Sequence, residues 1–243
     1  MGKTKKLIKV VTTFNAKGYE EYGKRLMESW RLWPKGLEFV VYQEGFDVGG
    51  KELLDIKWLV DFKERNKNKR FQDFRWDAVR FAHKTAAVID AAKDADFLVW
   101  VDGDVYTHKR ITEVDLASWL PGPEEYLSWL WRDKMYPECG FYILRLDHSK
   151  HRQIMAEWQR LYESDDIYRL QEWHDSFVFA YLIKRFAVNW KSLSGDYAWH
   201  SHPFINGPLG EFMDHCKGPR KTQGRSNPWD LAVKRSEDHW RKE

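Results

Sequence analysis

Two cysteines in 243 residues, Cys139 and Cys216, form no disulfide framework and no zinc cluster, since neither lies in a C-x-x-C pattern. A chain so poor in cysteine is expected in a reducing compartment. No apolar run approaches the ~18 residues that a membrane span requires. The basic start "MGKTKKLIKVVTTF" has an apolar stretch too short, and too broken by Lys9, for a secretion signal, so a cytoplasmic protein is expected. Charge of one sign is also missing: 40 Lys+Arg stand against 37 Asp+Glu, for a net +3. That balance argues against a protein built to coat nucleic acid. There is no repeat, no low-complexity tract and no Gly/Ser- or Pro-rich linker, so a single folded domain is expected over 1–225, followed by a charged tail over 226–243.

Aromatic residues are abundant: 14 Trp, 14 Phe and 11 Tyr. Any one of them is best read as core. Trp and Tyr also make flat amphipathic surfaces that stack on sugars and bases, so the excess suits a carbohydrate or nucleotide ligand.

The order of elements reads as α/β. "KLIKVVTTF" (6–14) is a β-branched run with a polar exit, which predicts a buried first strand. Tyr19, Tyr22, Leu26, Trp30 and Trp33 recur at spacings of three and four, a helical stripe stopped by Pro34 and Gly36. "LEFVVYQE" (37–44) predicts a second strand, "KWLVDF" (57–62) a third short one, and "KERNKNKR" (63–70) a charged loop. A helix over about 75–93 places Val79, Ala82, Ala86 and Ile89 on one face and leads into the strand "FLVWV". In the second half, "EEYLSWLW" (124–131) and "CGFYILRLD" (139–147) read as strands, and 148–163 and 171–186 as helices. A tail from Ser192 is rich in Gly, Pro and His. The opening β-α-β order implies a parallel crossover and a layered domain.

"ADFLVWVDGDVYTHKR" (95–110) ends an apolar strand on two aspartates. In extended backbone, residues i and i+2 project to one side, so Asp102 and Asp104 present their oxygens together and call for a cation between them. D-G-D by itself reads equally well as a turn. In open α/β sheets, ligands bind beyond the carboxyl ends of the strands, where both the aspartates and "TTFN" (12–15) would lie. His215 can complete a two-carboxylate, one-imidazole set suited to Mn²⁺, while Arg220 and Lys221 can neutralise a diphosphate.

With those residues assembled, the chain resembles glycosyltransferases of the GT-A fold, whose hallmark is an apolar strand ending in D-x-D. The resemblance implies a Rossmann-like α/β domain with a mixed, mostly parallel sheet flanked by helices. It implies a metal site of Asp102, Asp104 and His215 holding Mn²⁺ or Mg²⁺ against the diphosphate of a nucleotide sugar. Asp104 would be the main ligand, and Asp102 would also approach the ribose. Thr12, Thr13, Phe14 and Asn15 would hold base and ribose, with Arg80, Lys84 and Gly103 also on the nucleotide side. "DHCKGPRK" is similar to the H-x-x-G-x-x-K stretch of the glycogenin-like and bacterial galactosyltransferase family, which assigns Gly218 and Lys221 to the phosphates; the K-P-W ending of that family is absent, since Thr222 follows Lys221.

The activity this implies is hexosyl transfer from a UDP- or GDP-sugar to a glycan or other hydroxyl acceptor, with no nucleic-acid partner and no membrane span. If the reaction inverts the sugar, a carboxylate must take the acceptor proton, and Asp175 is the first choice with Asp196 behind it. Glu138 and Cys139 lie where a strand would reach the donor sugar, and His200 and His202 share an irregular segment with His215. His83, His108, His148, His151 and His239 are expected to be structural or exposed. One rival is a D-x-D phosphohydrolase, which would carry the motif on its first strand with a small or β-branched residue where Tyr106 stands. Another is a non-catalytic carbohydrate- or nucleic-acid-binding module built on the aromatics and the basic loop 63–70, which leaves D-G-D and His215 without a role. Glycoside hydrolysis would need its two carboxylates on opposite sides of the bond, roughly 5 Å or more apart, which one short turn cannot supply.

Overall fold

The computed structural model describes residues 6–69, 71–224 and 228–234. Arg70, His239 and most of the expected tail over 226–243 lie outside them. Seven strands form one sheet in the order β3-β2-β1-β4-β7-β6-β8. They are β1 (Ile8–Asn15), β2 (Glu38–Glu44), β3 (Lys51–Glu52), β4 (Phe97–Val101), β6 (Glu125–Leu130), β7 (Glu138–Arg145) and β8 (Asn189–Ser192). All run parallel except β7, which is antiparallel to both β4 and β6. The mixed, mostly parallel α/β sheet expected from the sequence is what the chain adopts.

β4 is the central strand of the seven, and all five of its residues are buried. Its period of two splits them between the two faces of the sheet. Leu98 and Trp100 join one hydrophobic core, and Phe97, Val99 and Val101 join the other. The first core is closed by α3 (Lys57–Asn66), α4 (Ala78–Ala91), α6 (His151–Glu163) and α7 (Asp175–Phe186). The second is covered by α1 (Ala16–Gly18) and α2 (Lys24–Ser29), which are joined by a wide π turn over Tyr19–Gly23, by α5 (Glu113–Trp119), and by α8 (Pro203–Asn206). Seven of the nine buried residues of α4 are alanine or valine, the other two being Lys84 and Thr85. Asp77 caps that helix, accepting from the Arg80 amide at 3.2 Å.

The expected strand at 57–62 is instead the first half of α3, which runs on into the expected charged loop. Leu59, Phe62 and Asn66 are buried at spacings of three and four, so the helical period decides, and the short apolar run had concealed it. The helices expected from 148 and 171 begin later, at His151 and Asp175. β3, β8 and a separate two-stranded sheet, β5 (Val105–Thr107) with β9 (Met213–His215), have too few residues to show a period in the sequence. That small sheet matters most for the site, because it pairs Val105 with His215.

Candidate active site

β4 stops at Val101, and Asp102–Asp104 is a tight turn in which the Val105 amide donates to the Asp102 carbonyl at 3.0 Å. The two carboxylates therefore meet through a turn, and the extended geometry expected from their i, i+2 spacing is not what joins them. A Cβ on Gly103 would lie 3.0 Å from Tyr22 Cε2 and 3.2 Å from the Thr13 carbonyl oxygen. A side chain there would crowd β1 and the π turn, on which the Asp102–Asp104 turn packs.

β9 brings the third member. His215 Nε2 lies 3.2 Å from Asp104 Oδ1 and 3.7 Å from Asp102 Oδ2, and one donor atom from each of the three residues falls within 4.8 Å of the other two. The opposite ring nitrogen, Nδ1, faces Glu138 Oε1 at 3.7 Å. At that distance Glu138 supplies negative charge behind the ring without a hydrogen bond to it, and Nδ1 is buried with no hydrogen-bond partner among the described residues. Two carboxylates and one imidazole suit a hard or borderline divalent ion such as Mg²⁺ or Mn²⁺, so the residues present fit the expected metal.

Every carboxylate of this cluster also has a lysine. Lys84 is buried and donates to Asp102 Oδ1 at 2.9 Å, to Asp175 Oδ2 at 2.7 Å and to the Cys139 carbonyl at 2.5 Å. Those three bonds use all three of its protons. Burial alone would depress the Lys84 ammonium, and the Asp102 and Asp175 charges override it and hold the pKa well above the usual lysine value. Lys221 Nζ lies 3.0 Å from Asp104 Oδ2 and over the Tyr22 ring. Burial pushes the Asp104 carboxyl up, but His215 and then Lys221 bring it well below the usual carboxylate range. Lys217 pairs with Glu138, where burial is likewise outweighed, by Lys217, His215 and His202.

These residues line one cavity of about 1180 Å³ at the carboxyl end of β4. Of the residues singled out in the sequence, Asp102, Asp104, His215, Gly218, Lys221, Arg80 and Asp175 border it. Thr12, Thr13, Phe14, Asn15 and Gly103 do not, although Phe14 and Thr13 lie directly behind the Asp102–Asp104 turn. Thr13 Oγ1 donates to the Tyr42 carbonyl at 2.9 Å, and Asn15 caps α1 by accepting from the Gly18 amide at 2.8 Å. Lys84 does not border the cavity either and has no proton left for a ligand. Arg220 is turned toward Asp230. Asp196 sits exposed on a short 3-10 turn (Gly195–Tyr197) away from the cavity lining. Asp175 is held ionised: burial raises its pKa, and the Lys84 contact outweighs that and leaves it lowered. A general base needs a pKa near the working pH, which this ion pair opposes.

The sequence reading passed over Lys217, Gly140 and Glu172. Lys217 lies inside the motif stretch "DHCKGPRK" and was legible there. Gly140 had no signal, because its role is to leave room for His215: a Cβ would fall 2.4 Å from His215 Cε1. Its amide donates to Glu138 Oε1 at 3.1 Å. Glu172 stands two residues before His174, whose Nε2 it meets at 2.8 Å. His202 is buried with its ring across that of His215 at 5.8 Å between centroids, and burial, then Lys217 and His215, hold it well below the usual imidazole value.

No protein-family profile and no curated relative matches this sequence. The fold does have counterparts. It is similar to a glycosyltransferase involved in the glycosylation of the major capsid of PBCV-1, with 11% identity, 90% of this chain and 96% of that one covered, and a TM-score of 0.52. It is also similar to WbbM, a bifunctional glycosyltransferase in its apo form, with 14% identity, 93% of this chain covered and a TM-score of 0.52. This chain spans 51% of the length of WbbM.

Proposed function

We propose that this chain, a single domain with the GT-A fold of glycosyltransferases, is a metal-dependent enzyme that moves a sugar from a UDP- or GDP-sugar to a hydroxyl acceptor. The observation that carries the reading is the meeting of Asp102, Asp104 and His215 at the end of the central strand, with Lys221 3.0 Å from Asp104. Asp102, Asp104 and His215 would hold Mn²⁺ or Mg²⁺. When bound, the ion supplies positive charge to the diphosphate that departs as the donor sugar's C1 acquires oxocarbenium character.

The protein's own groups do the rest. Lys221 would stand beside the leaving diphosphate and oppose the charge that builds there, the kind of fixed electrostatic contact that is usually the largest catalytic term. Lys84 fixes the Asp102 carboxylate, and Glu138 with Gly140 seats the His215 ring. Thr13 and Phe14 pack behind Gly103 and so support the turn from outside the cavity lining. Among the described residues no helix is long and apolar enough to cross a membrane.

The test is a screen of UDP- and GDP-sugars with Mn²⁺, reading released nucleoside diphosphate by mass spectrometry. One donor should be turned over, chelation by EDTA should stop the reaction, and Mn²⁺ or Mg²⁺ should restore it. Asp104→Asn should lower the rate by about 100-fold or more. Thermal stabilisation by UDP or GDP that appears equally without metal would overturn the assignment. Stabilisation by an oligosaccharide or RNA, with no response to nucleotide and metal, would favour a binding module instead.

A further inference from the structure

Besides the metal cluster, the cavity is lined by Phe74, Phe81, Tyr136 and His174, together with Glu172 and Arg80. The rings pack around the buried His174 imidazole: Phe74 at 5.6 Å and 64°, Tyr136 at 5.4 Å and 63°, Phe81 at 6.3 Å and 62°. Phe74 is 51% exposed and Tyr136 36% exposed. Aromatic rings left this open beside a concave polar site mark a surface meant to be covered.

The polar groups among these rings are unusual for the site. Asp102, Asp104, Glu138 and Asp175 each face a lysine ammonium. Glu172 is mostly buried, and among the described residues no lysine or arginine stands within ion-pair distance of it; the Arg75 guanidinium acts on its charge only from farther off. It meets only His174 Nε2 at 2.8 Å and the Tyr136 hydroxyl at 3.4 Å. The Arg80 guanidinium lies over the Phe81 ring at 5.8 Å and has no hydrogen-bond or carboxylate partner among the described residues. One fixed acceptor and one open donor therefore stand beside aromatic rings.

That combination matches one ligand chemistry. A pyranose ring presents a face of C–H groups and a rim of hydroxyls, so it can lie on Phe74 and Tyr136 while its rim meets Glu172 and Arg80. A peptide would be gripped most simply by an open strand edge. The edge strands of this sheet are β3 and β8, and neither contributes to the cavity. The volume of about 1180 Å³ exceeds the ~300–1,000 Å³ of a typical single-ligand pocket, which leaves room for a second ligand beside the donor.

We propose that Phe74, Tyr136, Glu172 and Arg80 form the acceptor subsite and that the acceptor is a saccharide, its ring stacked on Phe74 and Tyr136 and one hydroxyl held by Glu172. This rests on the glycosyl-transfer reading and adds the class of the second substrate. Of the cavity carboxylates, Glu172 takes the hydroxyl-binding part that Asp175 is prevented from taking by Lys84.

The experiment is saturation-transfer NMR with a panel of methyl glycosides of common hexoses, pentoses and deoxyhexoses, and in parallel with short Ser- and Thr-containing peptides, in the presence of UDP or GDP and Mn²⁺. At least one glycoside should bind. Phe74→Ala, Tyr136→Ala and Glu172→Gln should each weaken it about tenfold. The thermal shift from nucleotide and Mn²⁺ should stay at the wild-type value in all three. Trp199→Ala, an exposed aromatic outside the cavity, serves as the control and should bind the glycoside as wild type does. Glycoside affinity unchanged in Phe74→Ala and Tyr136→Ala, or binding of peptides but of no glycoside, would overturn the subsite. A wild-type protein that binds the glycoside at these residues but shows no metal-dependent nucleotide shift would sink the transfer reading and leave the saccharide site standing.

Discussion

Lys84 and Asp102, 18 positions apart in sequence, are 2.9 Å apart in the fold, and the same buried ammonium holds Asp175 at 2.7 Å. A buried ammonium is tolerable only while such partners remain, and removing it leaves two carboxylates facing each other in a desolvated site. Lys84→Met should cost roughly 3–5 kcal/mol of stability in urea unfolding. Adding Asp175→Asn to it should recover part of the loss, because the two changes share one interaction. Equal stability of Lys84→Met and wild type would remove Lys84 from the role assigned to it.

Gly140 gives a gentler probe of the metal site. A methyl group there would have to displace the His215 ring from 2.4 Å at Cε1 and 2.6 Å at Nδ1. Gly140→Ala should fold, yet bind Mn²⁺ about 10- to 100-fold more weakly, the range seen when the support of a metal-binding histidine is lost. Mn²⁺ titration followed by electron paramagnetic resonance reads this directly. Wild-type affinity in that variant would show that the clearance left by Gly140 does not set the His215 ring for the metal.

His151 should make stability depend on pH far from the active site. Burial, then the neighbouring His148, lowers its pKa from 6.5 to about 4, while Tyr126 Oη stands 3.2 Å from its Nδ1. The folded protein keeps this ring neutral, so below pH 6.5 the unfolded chain takes up a proton that the folded one refuses until about pH 4. Stability should therefore fall as the pH drops through that window, by on the order of 3 kcal/mol. His151→Gln should flatten that part of the curve in denaturant titrations at pH 4.5, 5.5 and 7. A slope that persists in the variant belongs to other groups.

Both cysteines should be silent in the native protein. Cys139 and Cys216 are buried, and burial pushes their thiols up, that of Cys216 to about 12. Ellman's reagent at pH 8 should find no fast thiol before denaturation and two after it. A thiol that reacts within seconds in the folded state would contradict the burial of Cys139 in β7 or of Cys216 just after β9.

Much of this arrangement follows from local sequence, and the remainder does not. An all-apolar run such as Phe97–Val101 can be satisfied only by burial on both faces, so it marks the centre of a layered α/β sheet wherever the rest of the chain goes. Asp102, Gly103 and Asp104 directly after it place an acidic pair at the ligand edge, and the resemblance of "DHCKGPRK" to an H-x-x-G-x-x-K stretch pointed to His215, Gly218 and Lys221 as what could join them. The short run 57–62 was misread because six residues do not separate a strand from the start of a helix; only the packing of Leu59 and Phe62 does. Tertiary structure alone decided which charges meet. The pairing of β5 with β9 carried His215 across more than a hundred residues to Asp104, and α4 aimed Lys84 at Asp102 and Asp175, turning an expected ligand contact and an expected base into one buried ion pair. It also set Glu172 among open rings. Contacts between segments so distant depend on how helices seat against the sheet, which no local pattern of residues records.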